Sequence, residues 1–147
     1  NIYGPGDFNY KRLIPEVILS TIKNKRFVIR SDGKSTRDYI FVNDAVNAYI
    51  LLMKKLLNSK QNLRIYNVSS KFNHSVKEIV SMILKYMNSL HLKPIIKNFS
   101  KKEINFQRLN FSKIEKDLGW KPKIKIKDGI IETIKWYKQF QKYLIIK

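Results

Sequence analysis

Three arginines are the residues best suited to chemistry in this chain: Arg12, Arg30 and Arg37. A guanidinium is planar, always charged and presents its donors in a fixed fork, a geometry that suits phosphate oxygens. Arg30 opens Arg30-Ser31-Asp32-Gly33, a turn sequence that ends one apolar stretch, and Arg37-Asp38-Tyr39 leads into the next. The chain begins Asn1-Ile2-Tyr3-Gly4-Pro5-Gly6-Asp7. Gly-Pro-Gly permits an abrupt turn, because glycine takes φ > 0 freely and proline fixes φ near −65°. Such a turn can hold polar side chains over a ligand. Other reactive residue types are poorly arranged for catalysis. There is no cysteine, and His74 and His91 lie far apart without carboxylates at metal-ligand spacing. Asp38 and Asp44 read as a turn residue and a helix-cap residue, not as an acid/base pair.

The elements that must position these side chains alternate between strand and helix. Apolar residues at Leu13, Ile14, Val17, Ile18 and Ile22 have helical spacing, and Pro15, tolerable only in a first turn, sets the start near Ile14. Phe27-Val28-Ile29 and Tyr39-Ile40-Phe41-Val42 predict short strands. A helix through Ala45, Ala48, Tyr49, Leu52 and Leu56 follows, with Asn43 as its expected N-cap. A loop over 58–62 precedes an expected buried strand, Leu63 to Val68. Ser75-Val76-Lys77-Glu78 has capping-box spacing ahead of Ile79, Ile83, Tyr86 and Met87. Pro94-Ile95-Ile96 predicts another strand, and Ser112-Lys113-Ile114-Glu115 a second capping box for a short helix that stops at Gly119. An amphipathic helix is expected from Ile126 to Tyr143, with Ile130, Ile134 and Tyr137 on one face. Trp120 and Trp136 read as core.

Composition bounds the reading. The 147 residues are 44% hydrophobic, enough for a core in one domain or a piece of a larger one. No apolar run approaches the roughly 20 residues of a membrane span, and no leader pattern opens the chain, so a cytoplasmic protein is expected. The net charge of +19 would suit a nucleic acid or an anionic surface. Its distribution does not: residues 1–75 carry +8 and residues 76–147 carry +11, with no basic arm or stripe. Two alanines against about 40% Lys, Ile and Asn indicate a gene rich in adenine and thymine.

The motif wording resembles the second half of the extended short-chain dehydrogenase/reductases, the nucleotide-sugar epimerases and dehydratases. The residues that carry it are Asn1-x-Tyr3-Gly4-Pro5-Gly6, Arg12-Leu13-Ile14-Pro15, and Ile29 to Ala45 with Arg37-Asp38-Tyr39. The tail adds Leu118-Gly119-Trp120-Lys121-Pro122 and Thr133 to Tyr137. Within that family, Gly6-Asp7-Phe8-Asn9 and Val28 to Gly33 are most similar to the CDP-glucose 4,6-dehydratases. The resemblance implies an α/β fold, the C-terminal part of a Rossmann-like extended fold whose N-terminal dinucleotide-binding half is absent. Residues 1–147 would then be the substrate-binding region, a fragment, since no Gly-rich phosphate cradle occurs.

The resemblance further implies NAD as cofactor of the full-length protein, a nucleotide-sugar substrate with CDP-glucose foremost, no nucleic-acid or membrane partner, and a homo-oligomer. In these enzymes hydride leaves the sugar C4 for NAD, water is lost across C5–C6, and hydride returns to C6. Their acid/base is a tyrosine four residues before a lysine. Tyr143 and Lys147 have that spacing here, but in a chain with eight tyrosines one chance match is expected, and a chain end offers no burial to shift a phenol. No catalytic residue is assigned, and no cofactor-binding or metal residue. By resemblance Arg37 contacts the diphosphate, Arg12 the nucleotide, Asn1 the sugar–phosphate link, Arg30 and Ser31 the base, and Gln107 the substrate, although Phe106 stands where the family has aspartate. The rivals are a nucleotide-sugar 4-epimerase, a GDP- or dTDP-sugar dehydratase, and a basic module for nucleic acid or an anionic surface.

Overall fold

The computed structural model describes residues 1–58, 65–99 and 104–144. Strand β1 (Ile2–Tyr3) opens the chain and is followed by α1 (Leu13–Ile22). Pro15 lies in the first turn of α1, where its missing N–H costs nothing, and Ile14, Val17, Ile18 and Thr21 form the buried face. Strands β2 (Val28–Ile29), β3 (Thr36–Asp38) and β4 (Ile40–Phe41) precede the long α2 (Val42–Leu57). Next come β5 (Asn73–Ser75), α3 (Val76–Tyr86), β6 (Ile95–Ile96), α4 (Ser112–Leu118) and α5 (Ile126–Phe140).

The strands pair in three couples. β1 and β4 are parallel, with Ile2 opposite Ile40 and Tyr3 opposite Phe41. β2 and β6 are parallel, with Val28 opposite Ile95. β3 and β5 are antiparallel, with Arg37 opposite His74 and Asp38 opposite Asn73. Because side chains alternate along a strand, β4 serves two cores. Phe41 joins Tyr3 and residues of α1, α3 and α5 in the larger one. Ile40 joins Ala48 of α2, Ile114 of α4 and Trp120 in the smaller. Helices thus cover both faces of the parallel pair, the layering expected of an α/β fold.

Capping chemistry accounts for several boundaries. Ser75 Oγ accepts the Glu78 amide at 3.2 Å while Glu78 Oε2 accepts the Ser75 amide at 2.6 Å, a complete capping box for α3. Those Ser75 hydrogen bonds hold the Glu78 carboxyl below its ordinary pKa. Gly119 ends α4 at φ 65°, a left-handed cap.

Other expectations are corrected. Asn43 does not cap α2, because β4 runs straight into the helix and Phe41 takes the N-cap position without a side-chain bond. Ser112 lies inside α4, its amide held by Asn110 Oδ1 at 2.8 Å, so the second capping box does not form. The run Leu63 to Val68 carries no strand over its described residues, 65–68; Ile65 is exposed, and Tyr66 and Val68 pack onto the Trp120 core instead. The rest of that run and the loop after Asn58 lie outside the described residues. The last helix stops at Phe140, short of Tyr143. Trp120 is buried, whereas Trp136 is half-buried in edge contacts with Phe8 and Tyr137.

Neither Asp38 nor Asp44 acts as a turn or cap residue. Asp44 is a buried staple between α2 and the segment before α5: its carboxylate accepts the Lys123 and Ile124 amides at 2.9–3.1 Å, and its carbonyl accepts Trp120 Nε1 at 3.0 Å. Among the described residues, no helix is long and apolar enough to cross a membrane.

Candidate functional site

The turn after β2 is built by its own side chains. Ser31 Oγ accepts the Gly33 amide at 3.3 Å, and Asp32 Oδ1 accepts the Lys34 amide at 2.8 Å, the short-range bonds that stabilise such turns. Gly33 has φ 75°, and a Cβ there would stand 2.8 Å from Lys77 Cγ, so the position is closed to larger residues. The Lys77 amide donates to the Gly33 carbonyl at 3.1 Å, and the Val76 amide to the Ser35 carbonyl at 3.2 Å, which fixes the turn to the start of α3.

This turn, β3 and the start of α1 enclose a cleft of about 500 Å³ lined by Asn1, Arg30, Ser31, Arg37 and Tyr39 among others. Four of the six predicted site residues therefore converge. Arg37 is half-buried in the middle of β3, with Nη1 donating to the Thr36 and Ile104 carbonyls. Among the described residues, no hydrogen bond is made by its Nε or Nη2. Arg30, largely exposed, pairs with Glu16 across the cleft at 3.0 Å. Ser31 is buried beside it. The Asn1 backbone nitrogen and Nδ2 both donate to the Asp38 carbonyl, at 2.8 and 3.4 Å.

Arg12 lies one cleft away, in a smaller cavity of about 160 Å³ that shares Asn1, Leu13 and Tyr39. Its guanidinium is engaged by the opening turn: Nη2 donates to the Ile2 carbonyl at 2.6 Å, and Nη1 meets Asp7 Oδ2 at 3.2 Å. Gln107 lines neither cavity. Its backbone runs beside β3, the amide donating to Thr36 O at 3.2 Å and the carbonyl accepting Asn73 Nδ2 at 2.7 Å. Residues not singled out from the sequence also contribute, above all Lys11, Glu16 and Tyr39. Tyr39 was legible in principle, because strand alternation puts it on the same side as Arg37.

The charge and lining of this cleft would suit an anion with a flat apolar part. Lys11, Arg30 and Arg37 outnumber the single carboxylate of Glu16, and Phe27, Ile29 and Ile104 supply apolar wall. General-base chemistry finds no candidate in the buried phenols. Tyr3 and Tyr137 are both pushed up from the ordinary tyrosine value, chiefly by burial and then by carboxylates, Asp44 for Tyr3 and Asp7 for Tyr137. They stay protonated and donate, Tyr3 to the Ile126 carbonyl and Tyr137 to the Asp7 carbonyl. Tyr143 is 81% exposed, and Lys147 lies outside the described residues. Among the described residues no group of three His, Asp or Glu could hold a metal.

Comparison with known proteins agrees with this architecture. The family model described as GDP-mannose 4,6 dehydratase matches residues 1–133. The chain belongs to the GDP-mannose 4,6 dehydratase family. Among curated members, human dTDP-D-glucose 4,6-dehydratase is 30% identical over 145 residues, 95% of this chain and 40% of that protein. The dTDP-glucose 4,6-dehydratase of Haemophilus influenzae is 29% identical over 140 residues, 86% of this chain and 40% of its own length. The chain thus spans about two fifths of the curated relatives it matches.

Solved structures share the fold. UDP-glucose 4-epimerase from Thermotoga maritima, solved with UDP-glucose, superimposes with TM-score 0.84 at 22% identity over 96% of this chain and 44% of that one. The dTDP-glucose 4,6-dehydratase of Streptomyces venezuelae, solved with NAD bound, gives 0.86 at 21% identity over 99% and 44%. The α/β fold of the extended dehydratases and epimerases expected from the motifs is the observed one.

Proposed function

We propose that this chain is the substrate-binding part of an NAD-dependent nucleotide-sugar 4,6-dehydratase that acts on CDP-glucose. The observation that carries the reading is the convergence of Asn1, Arg30, Ser31 and Arg37 on one cationic cleft of about 500 Å³, a volume suited to a ligand of nucleotide-sugar size. Arg37 holds the diphosphate through charge-assisted hydrogen bonds from a fixed strand. Asn1 reaches the sugar–phosphate link, Arg12 supports the nucleotide from the adjoining cavity, and Arg30 and Ser31 flank the base. Gln107, which lines neither cavity, is carried as a further substrate contact by the family resemblance alone. CDP as the nucleotide rests on the sequence likeness of Val28 to Gly33.

In the reaction NAD supplies the hydride acceptor and donor. None of the described helices follows a Gly-x-Gly-x-x-Gly turn, so these residues do not form the pyrophosphate cradle such a cofactor needs. The reading therefore assigns NAD to polypeptide beyond residues 1–147, within a longer, homo-oligomeric enzyme. The chain's own part is to bind and orient the sugar nucleotide.

A second reading, dTDP-glucose in place of CDP-glucose, is favoured by the names of the relatives. Calorimetric titration of the complete gene product with CDP-, dTDP-, GDP- and UDP-glucose separates the two, with formation of the 4-keto-6-deoxy sugar followed in parallel. The expected result is CDP-glucose tightest by about tenfold or more, equivalent to about 1.4 kcal/mol, and converted. A lead for dTDP-glucose would install the second reading. Binding of none of the four would remove both.

A further inference from the structure

Asp38 stands behind the wall of the cleft. Arg37 and Tyr39 both line the cleft, and strand alternation turns Asp38 to the opposite face, where it is 4% exposed. Its Oδ1 accepts the Ser70 amide at 2.8 Å and the Ser70 hydroxyl at 2.7 Å. Its carbonyl accepts the backbone nitrogen and Nδ2 of Asn1. One residue thus ties together β3, the start of β1 and the segment at Ser70, and both of its sequence neighbours line the cleft.

The Asp38 carboxylate is satisfied through one oxygen only. Asn73 is directly opposite Asp38 in the ladder, and both Asp38 Oδ2 and Asn73 Oδ1 are buried without a hydrogen-bond partner among the described residues. A buried acceptor left without a donor is unfavourable, since it loses water and gains nothing. An asparagine at 38 could keep an acceptor for Ser70 and would carry an amide donor in place of the second, unsatisfied acceptor. What the carboxylate adds is the stronger, charge-assisted hold on Ser70.

We infer that Asp38 is a positioning residue for substrate binding: through the hold of its carboxylate on Ser70, beside the main-chain bonds of its carbonyl to Asn1, it fixes the backbone from which Arg37 and Tyr39 reach the ligand. The inference rests on the reading of the cleft as a nucleotide site and adds to it a residue that touches no ligand. Stability and affinity should then move apart, which a merely structural role would not produce.

The test uses the complete enzyme, with CDP as calorimetric probe, NAD titrated in parallel and thermal unfolding recorded. Asp38→Asn should unfold at or above the wild-type temperature yet bind CDP about three- to tenfold more weakly. Ser70→Ala should weaken CDP to a similar extent, and Asp38→Ala by more than about tenfold, with NAD affinity unchanged in each. CDP affinity at the wild-type level in Asp38→Asn and Ser70→Ala would overturn the inference, as would CDP and NAD lost together in step with stability. Should Asp38→Ala fail to fold, the other two variants decide. Arg37→Ala keeps the levels apart. If it leaves CDP binding intact, the reading of the cleft fails; if it weakens CDP while Asp38→Asn and Ser70→Ala do not, only the role of Asp38 fails.

Discussion

Gly129 is the position where packing and intrinsic propensity make opposite demands. It lies in α5, one turn into the helix, against Tyr3 of β1 and Phe41 of β4. A Cβ there would stand 2.7 Å from Phe41 Cδ2 and 3.0 Å from Tyr3 Cζ, with the Tyr3 hydroxyl closer still. Both rings are buried and packed edge to face, with centroids 5.6 Å apart, so neither can swing away. By propensity alone Gly129→Ala would stabilise a helix interior by about 1 kcal/mol. Overpacking a filled core costs about 1–3 kcal/mol, and displacing Tyr3 loses its bond to the Ile126 carbonyl, about 1 kcal/mol more. The clash wins, and a net destabilisation of about 1–3 kcal/mol is expected. Urea unfolding of the complete enzyme, wild type against Gly129→Ala, measures it. Tyr3→Phe added to the variant removes the closest contact and should recover part of the loss. A stabilised Gly129→Ala would refute the reasoning, because it would mean that α5 does not press on the β1–β4 pair.

Other consequences follow from the same structure. Asp44→Ala strands the Lys123 and Ile124 amides and should cost about 2–4 kcal/mol in urea unfolding; a cost under 1 kcal/mol would mean that water replaces the carboxylate there. Ser75→Ala breaks the capping box and should cost about 0.5–2 kcal/mol. Because the Glu78 pKa is lowered on folding, the unfolded chain binds more protons, and the Glu78 contribution is present above the unfolded carboxylate pKa and lost as pH falls through the folded one. Melting temperatures recorded over roughly pH 3 to 6 should fall less steeply toward acid in Glu78→Gln than in wild type; identical slopes would contradict the shift. Val46, Tyr49, Ile50, Met53 and Leu57 form an exposed apolar stripe on α2, a contiguous surface of the kind that marks an interaction site. Residues 1–147 expressed alone should therefore self-associate, and Tyr49→Lys with Met53→Glu should reduce it; a monomeric wild type in sedimentation would argue that the stripe needs no cover.

Helices were legible because their signals are local. Apolar spacing from Ile14 to Ile22, the Ser75–Glu78 box and the stop at Gly119 each lie within a few residues, and the structure carries all three. The β3–β5 ladder was not legible, because Thr36-Arg37-Asp38 and Asn73-His74-Ser75 carry no hydrophobic alternation. Backbone pairing and buried polar contacts hold that ladder, and neither leaves a periodic trace in the sequence. The role of Asp44 was hidden for a different reason: its partners lie 76 to 80 residues away. Of the candidate site, the types and turn positions of Asn1, Arg30, Ser31 and Arg37 were readable, and their meeting at one cleft is what folding adds. Arg12 was readable from the motif Arg12-Leu13-Ile14-Pro15. Its engagement with Asp7 and the Ile2 carbonyl depends on the tight return of the chain at Gly4-Pro5-Gly6.

The most direct test of the proposed substrate site is Arg37→Ala in the full-length protein, with CDP-glucose affinity measured by calorimetry beside Arg37→Lys and Lys142→Ala. Arg37 is held by β3 and by two carbonyls, so under the proposed reading its remaining donors approach the diphosphate from a fixed place. Losing one charge-assisted contact should cost about 1.5–3 kcal/mol, or roughly a 10- to 150-fold weaker CDP-glucose complex. Lysine cannot reproduce the fork and should fall between wild type and alanine. Lys142→Ala, on the exposed stretch after α5, should leave affinity unchanged, as should every variant for NAD. CDP-glucose affinity within twofold of wild type in Arg37→Ala would contradict the assignment of this cleft to the substrate.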